Sequence, residues 1–179
     1  MKKIVLTFGL IAGAVFVITM FGAYPLWKNG TITFENGMWV GYTSMVIALS
    51  MVFFGVKSYR DNHLHGTITF GNALKVGLLI SLVAALGYAI SWEFYFNLIA
   101  PDFMDEYAAF YVNKAKASGA SEAEVQKIVA QMDEGKQMYK NPFLRFVITM
   151  AEISPVGIVI SLVSAALLRK KDFLAAQAA

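Results

Sequence analysis

Residues 4–24 read IVLTFGLIAGAVFVITMFGAY, and no charge falls anywhere between Lys3 and Lys28, a run of 24 residues. About 20 such residues, rising 1.5 Å each in a helix, cross the ~30 Å hydrocarbon core of a bilayer. Lipid offers no hydrogen-bond partner to exposed peptide groups, so a segment of this kind spans as a helix that satisfies its own backbone. Met1-Lys2-Lys3 ahead of an apolar run also has the look of a secretory leader. The run exceeds the roughly 7–15 residues of a leader core, and the end Phe21-Gly22-Ala23 carries a bulky residue where a small one is wanted. A retained helix is expected.

Three further stretches repeat the pattern. Spans are expected at about 4–24, 38–56, 73–99 and 142–168. Pro25 closes the first, Lys57, Tyr59 and Arg60 the second, Pro101 the third, and Arg169, Lys170 and Lys171 the fourth. The expected fold class is all-α: an integral membrane four-helix bundle, a single membrane domain over 1–179, with an amphipathic helical outer (periplasmic) loop over 102–141. Of 179 residues, 58% are hydrophobic and 15% charged, which leaves no material for a second soluble domain. The absence of cysteine excludes disulfides and thiolate metal sites. The net charge of +3 is spread over segment ends rather than pooled. The lipid bilayer is therefore the expected partner, and nucleic acid is not.

The flanking charges orient the spans. Lys2 and Lys3 precede the first, Lys57, Arg60 and Lys75 border the loop between the second and third, and Arg169, Lys170 and Lys171 follow the fourth. Basic flanks stay in the cytoplasm, so both termini and the middle loop are expected inside. The long loop after the third span mixes Asp102, Asp105, Glu106, Glu122, Glu124, Asp133 and Glu134 with five lysines. Within it, Asp102 can cap a helix bearing Phe103, Tyr107, Phe110 and Tyr111, which Gly119 ends. Ser121 and Glu124 have capping-box spacing, and Val125, Ile128, Val129, Met132 and Tyr139 follow at helical spacing. Two amphipathic helices are expected over the outer mouth or on the interface.

An internal repeat links the entries to spans two and three. Gly30-Thr31-Ile32-Thr33-Phe34 and Gly66-Thr67-Ile68-Thr69-Phe70 open two segments, running to Gly41 and Gly77, that match at eight of twelve positions at an offset of 36. The copies enter from opposite sides of the membrane. This is either an inverted repeat of the transporter kind or a reused helix-entry device.

Small residues recur at three- and four-residue steps on every span: Gly9, Ala12 and Ala23; Gly41, Ser44, Ala48 and Gly55; Gly77, Ser81 and Ala84; Ser154, Gly157, Ser161 and Ala165. Such faces let helix backbones approach closely in lipid. They serve a compact bundle, a homo-oligomer or a membrane-protein partner.

The candidate chemistry lies in ionisable residues within spans. Glu152 sits about 13 Å into the fourth span at 1.5 Å per residue. Glu93 lies in the outer third of the third. Arg145 is two turns before Glu152 on the same face with Thr149 between them, and Asn97 is one turn beyond Glu93. If spans three and four are neighbours, then Glu93, Asn97, Arg145, Thr149 and Glu152 form one polar cluster. It is either a site for a proton, cation or small ligand, or an interhelical salt bridge. Pro155 introduces a kink beside Glu152. His63 and His65 lack the further ligands a metal needs, so no metal and no cofactor is expected. No nucleophile–base constellation, phosphate loop or metalloprotease motif is present, so an enzyme is not expected.

Gly41-Tyr42-Thr43-Ser44-Met45, Phe54 through Asp61, Gly66 through Gly71 and Glu152-Ile153-Ser154-Pro155-Val156-Gly157 resemble an uncharacterised family of small bacterial membrane proteins, domain of unknown function 4199. The resemblance covers about residues 4–170. It implies a four-span protein of the bacterial cytoplasmic (inner) membrane and marks Gly41, Phe70, Gly71, Glu152 and the loop pair Arg60 and Asp61 as family-like. It implies no activity. The expected function is a non-enzymatic accessory or scaffold subunit; the alternative is a small proton, cation or solute carrier or sensor using Glu93 and Glu152.

Overall fold

A computed structural model describes residues 1–170, 173 and 174; Lys171, assigned above to the fourth basic flank, lies outside the described residues. Among them are six α-helices and no strand: α1 Lys2–Lys28, α2 Gly37–His63, α3 Phe70–Leu98, α4 Phe103–Ala117, α5 Glu122–Lys140 and α6 Pro142–Leu168. α1, α2, α3 and α6 are long and apolar enough to cross a membrane.

The helix ends follow local chemistry, with three corrections to the sequence reading. Pro25 does not close α1, which runs on to Lys28. Proline removes one amide and crowds one carbonyl, a small loss when only three residues of helix remain. α2 continues past Val56 to His63, because Lys57 and Asp61 pair at i, i+4 with 2.7 Å between Nζ and Oδ2. Asp102 precedes α4 without a side-chain cap bond. The Ser121–Glu124 capping box is formed, and Asn141 caps α6 ahead of Pro142 at its first position.

The four long helices stand in a ring ordered α1, α3, α6, α2, with α2 and α3 also touching across the middle. Gly77 faces Ser161, Ser81 faces Gly157 and Glu93 faces Arg145, so α3 and α6 run antiparallel. Gly9 faces Val83, Gly13 faces Gly87 and Phe21 meets Tyr95, so α1 and α3 run parallel although α2 separates them in the chain. A Cβ on Gly157 would come within 3.0 Å of the Ser81 Cβ. Ser81 Oγ also donates to the Gly157 carbonyl at 3.3 Å and lies 3.2 Å from Ser161 Oγ. Small residues therefore close this seam sterically while hydroxyls bond across it.

Around the chain termini the ring is filled by Ala12, Ala48, Leu49, Val52, Val76, Ile80 and Ala84, all essentially inaccessible. At the opposite end α4 lies across the ring and α5 packs back on it, with Lys136 2.7 Å from Asp105. Phe34, in the link between α1 and α2, is the anchor. Its ring lies 5.3–5.7 Å from Trp27, Phe103, Tyr107 and Phe110. The expected amphipathic helices thus cap the bundle.

The two repeat copies share a local turn. Gly30 and Gly66 take φ of 77° and 82°, the left-handed region that glycine enters without steric cost, and Ile32 and Ile68 are both buried. They then diverge: Thr69 caps α3 directly, whereas α2 starts three residues later than the equivalent position, after Asn36.

Candidate functional site

The five polar residues grouped by sequence fall into two sets, and the reason is local hydrogen bonding. Asn97 donates to the Glu93 carbonyl at 2.6 Å and is exposed. Thr149 donates to the Arg145 carbonyl at 2.9 Å. Both are spent on their own helices, as short polar side chains inside helices often are.

Arg145 and Glu93 form a forked ion pair across α6 and α3. Arg145 Nε donates to Glu93 Oε1 at 2.8 Å and Nη2 donates to Oε2. Nη1 donates to the Tyr139 carbonyl at 2.8 Å, and the guanidinium stacks 4.2 Å from the Phe96 ring centre. The Arg145 side chain is only 4% exposed. The pair therefore joins α3, α5 and α6 and is committed first to holding them together.

Glu152 stands apart. It has no ion-pair or hydrogen-bond partner among the described residues. Its side chain is exposed to an open cavity of about 840 Å³ lined by α1, α2 and α3 beneath α4, and Glu152 is the one residue of α6 among the lining residues. Phe16, Met45, Tyr88 and Glu152 form the floor, the deepest lining positions on their helices, and the Phe16 ring packs at a tilt against Tyr88 with centroids 4.9 Å apart. The hydroxyls of Thr19 and Ser44 on the walls bond to their own helices. Pro155, three residues after Glu152, leaves the Ala151 carbonyl without a helical donor. Trp92 also lines the cavity, and its buried indole N–H has no partner among the described residues.

The walls are rich in aromatic residues. Seven of the eight tyrosines and two of the three tryptophans border the space, interleaved with aliphatic side chains such as Met20, Met45 and Ile99. Tyr107, from α4, has its hydroxyl pushed up to about 12, by burial first and then by Tyr111 and the charge of Glu152. Burial and Glu152 push Tyr139 up further. Both stay neutral at ordinary pH, so they offer the cavity polar hydroxyls without charge. Sequence reasoning missed these aromatics as a group because they come from five helices. Their only common signal was enrichment toward span ends, which also fits an interfacial belt.

The second sequence motif, Arg60-Asp61, lies at the opposite end. Arg60 is fully buried. Its Nε donates to Asp61 at 2.6 Å, Nη1 to the carbonyls of Phe173 at 2.8 Å and Leu168 at 3.4 Å, and Nη2 to the Leu174 carbonyl at 2.8 Å. The guanidinium thus caps the C-terminus of α6, where carbonyls lack helical donors and the helix dipole favours a cation. His63 packs beside Tyr59, 5.6 Å between centroids. The pair is a clamp between α2 and the segment after α6, remote from the cavity.

No curated protein and no solved structure matches this chain. One family model, described as Protein of unknown function (DUF4199), matches residues 7–170, and the chain belongs to that family.

Proposed function

We propose that this membrane protein binds a small solute in the cavity under α4, as a carrier or sensor, with Glu152 contacting the ligand and the Glu93–Arg145 pair holding the walls in place. The observation that carries this reading is an unpaired carboxylate at the floor of a cavity of about 840 Å³. A volume of this order lies in the range of small-molecule pockets. Ionisable groups within spans are costly and are retained where they face a partner, a cavity or a pathway.

The same proposal includes orientation. Lys2, Lys3, Lys57, Arg60, Lys75, Arg169 and Lys170 fall toward the end of the bundle that holds the termini, and such flanks favour the cytoplasm. The α4 cap then faces outward, and the family resemblance supports a bacterial cytoplasmic membrane. The competing reading, a non-enzymatic accessory subunit, would use the seam positions left open, such as Gly41 and Ser154, or another surface. Gly9, Gly77, Ser81, Gly157 and Ser161 are packed within the bundle.

The chain has no cysteine, so single-cysteine variants report access directly. In nanodiscs, a water-soluble maleimide should modify Ser44→Cys on the cavity wall and spare Ala48→Cys one turn below, and a bound solute should protect Ser44→Cys. If both positions resist the reagent in folded protein, the cavity reading is wrong.

A further inference from the structure

We infer that the cavity ligand is an organic ammonium cation, with Glu152 as counter-ion and the tyrosine and tryptophan faces as its cage. This rests on the cavity reading above and names the chemical class it would take.

Charge comes first. The titratable groups bordering the cavity include three carboxylates, Glu152 at the floor and Asp102 and Glu106 near the α4 cap, against a single lysine, Lys28. An anionic ligand would meet net repulsion and an unpaired carboxylate at the deepest point. Arg145, the other cation nearby, is paired with Glu93 and does not line the cavity.

Size and wall chemistry then choose among cations. A bare metal ion needs several oxygen ligands at short range. The floor offers one carboxylate, and no group of three or more His, Cys, Asp or Glu side chains able to hold a metal occurs among the described residues. The space is far larger than a proton or a metal ion requires. An ammonium bearing alkyl or aryl groups fills volume with apolar surface and carries its charge to Glu152. Ring faces attract such a cation through their quadrupoles, and more strongly where water is excluded. The walls already show this behaviour at the mouth, where Lys28 Nζ lies 5.6 Å from the Tyr24 ring centre. Quaternary ammonium groups also occur on lipid headgroups; both sources share this chemistry, and the lipid composition of the assay separates them.

The test uses the full chain in phosphatidylglycerol nanodiscs and reads tryptophan fluorescence, since Trp27 and Trp92 border the cavity. The probes are benzyltrimethylammonium, benzenesulfonate and benzyl alcohol: cation, anion and neutral. Saturable quenching by the cation alone is expected. Glu152→Gln should weaken it at least tenfold, while Glu152→Asp keeps the charge and most of the affinity. Tyr107→Leu should weaken binding by roughly fivefold and Tyr107→Phe little, because the ring rather than the hydroxyl makes the contact. Thermal midpoints equal to wild type establish that each variant is folded. Adding phosphatidylcholine lowers the apparent affinity if headgroups enter the same site and leaves it unchanged if only free cations do. Equal cation affinity in wild type and Glu152→Gln overturns the inference. So does saturable binding of the neutral or anionic probe without the cation, and in that case protection of Ser44→Cys by that probe leaves the cavity reading standing. An unreactive Ser44→Cys removes both.

Discussion

The half of the bundle around the termini is filled, and the half beneath α4 is hollow, although the same four helices build both. In the filled half, glycine, alanine and serine set the helix spacing, so that a methyl group on Gly55 would run into Ile80 and Phe8 and one on Gly77 would press on Ser161. In the hollow half, aromatic residues take over. Rings such as Phe16, Tyr88, Trp92 and Tyr95 occupy the facing positions, hold the backbones apart and leave space between them. The polar residues divide the same way. Arg60 and Arg145 each bond several partners where helices meet, whereas Glu152 has none among the described residues where they part. Packing density, more than residue polarity, separates the scaffold from the candidate site.

The largest expected effect contrasts the two intramembrane acids. Glu93→Gln should cost about 3 kcal/mol in denaturant or thermal unfolding in detergent, because it strands a buried guanidinium. Glu152→Gln should shift the same midpoint by no more than about 0.5 kcal/mol, since no protein contact is lost. Equal losses would show that Glu152 is a structural group after all. A smaller contrast tests the packing. Gly157→Val should cost about 2 kcal/mol against the Ser81 side chain. Gly41→Val, with nothing within 4 Å of its added Cβ, should be near neutral. The smallest effect lies on the cap. Ser121→Ala should cost about 1 kcal/mol, read as faster amide exchange in the first turn of α5 alone. The Ser121 amide and hydroxyl also hold Glu124 below the usual carboxylate range. That contribution is present above the unfolded pKa and fades as pH falls through the folded one, so acid should fray α5 before the bundle.

The spans were legible because a bilayer imposes length and apolarity on each helix separately. The α5 capping box was legible because Ser121 and Glu124 satisfy each other three residues apart. The Glu93–Arg145 contact was half legible. Each residue could be placed at a depth, but the long connection between α3 and α6 did not fix their adjacency. What could not be read was the parallel contact of α1 with α3, and with it the cavity, since its walls come from segments far apart in the chain. The proposed cluster was too large for a local reason: Asn97 and Thr149 reach the carbonyls one turn before them at less cost than they reach across a gap.

Arg60 has a consequence for assembly. Three of its acceptors, the carbonyls of Leu168, Phe173 and Leu174, belong to the end of the last span and the turn after it. While α1, α2 and α3 emerge from the ribosome, that guanidinium has only neighbouring Asp61 and solvent to bond. Docking of α6 is therefore the event that buries Arg60, while Lys57 and Lys75 beside the same loop keep access to solvent. A protein truncated after Leu168 would carry every span and still lack the bolt that closes them.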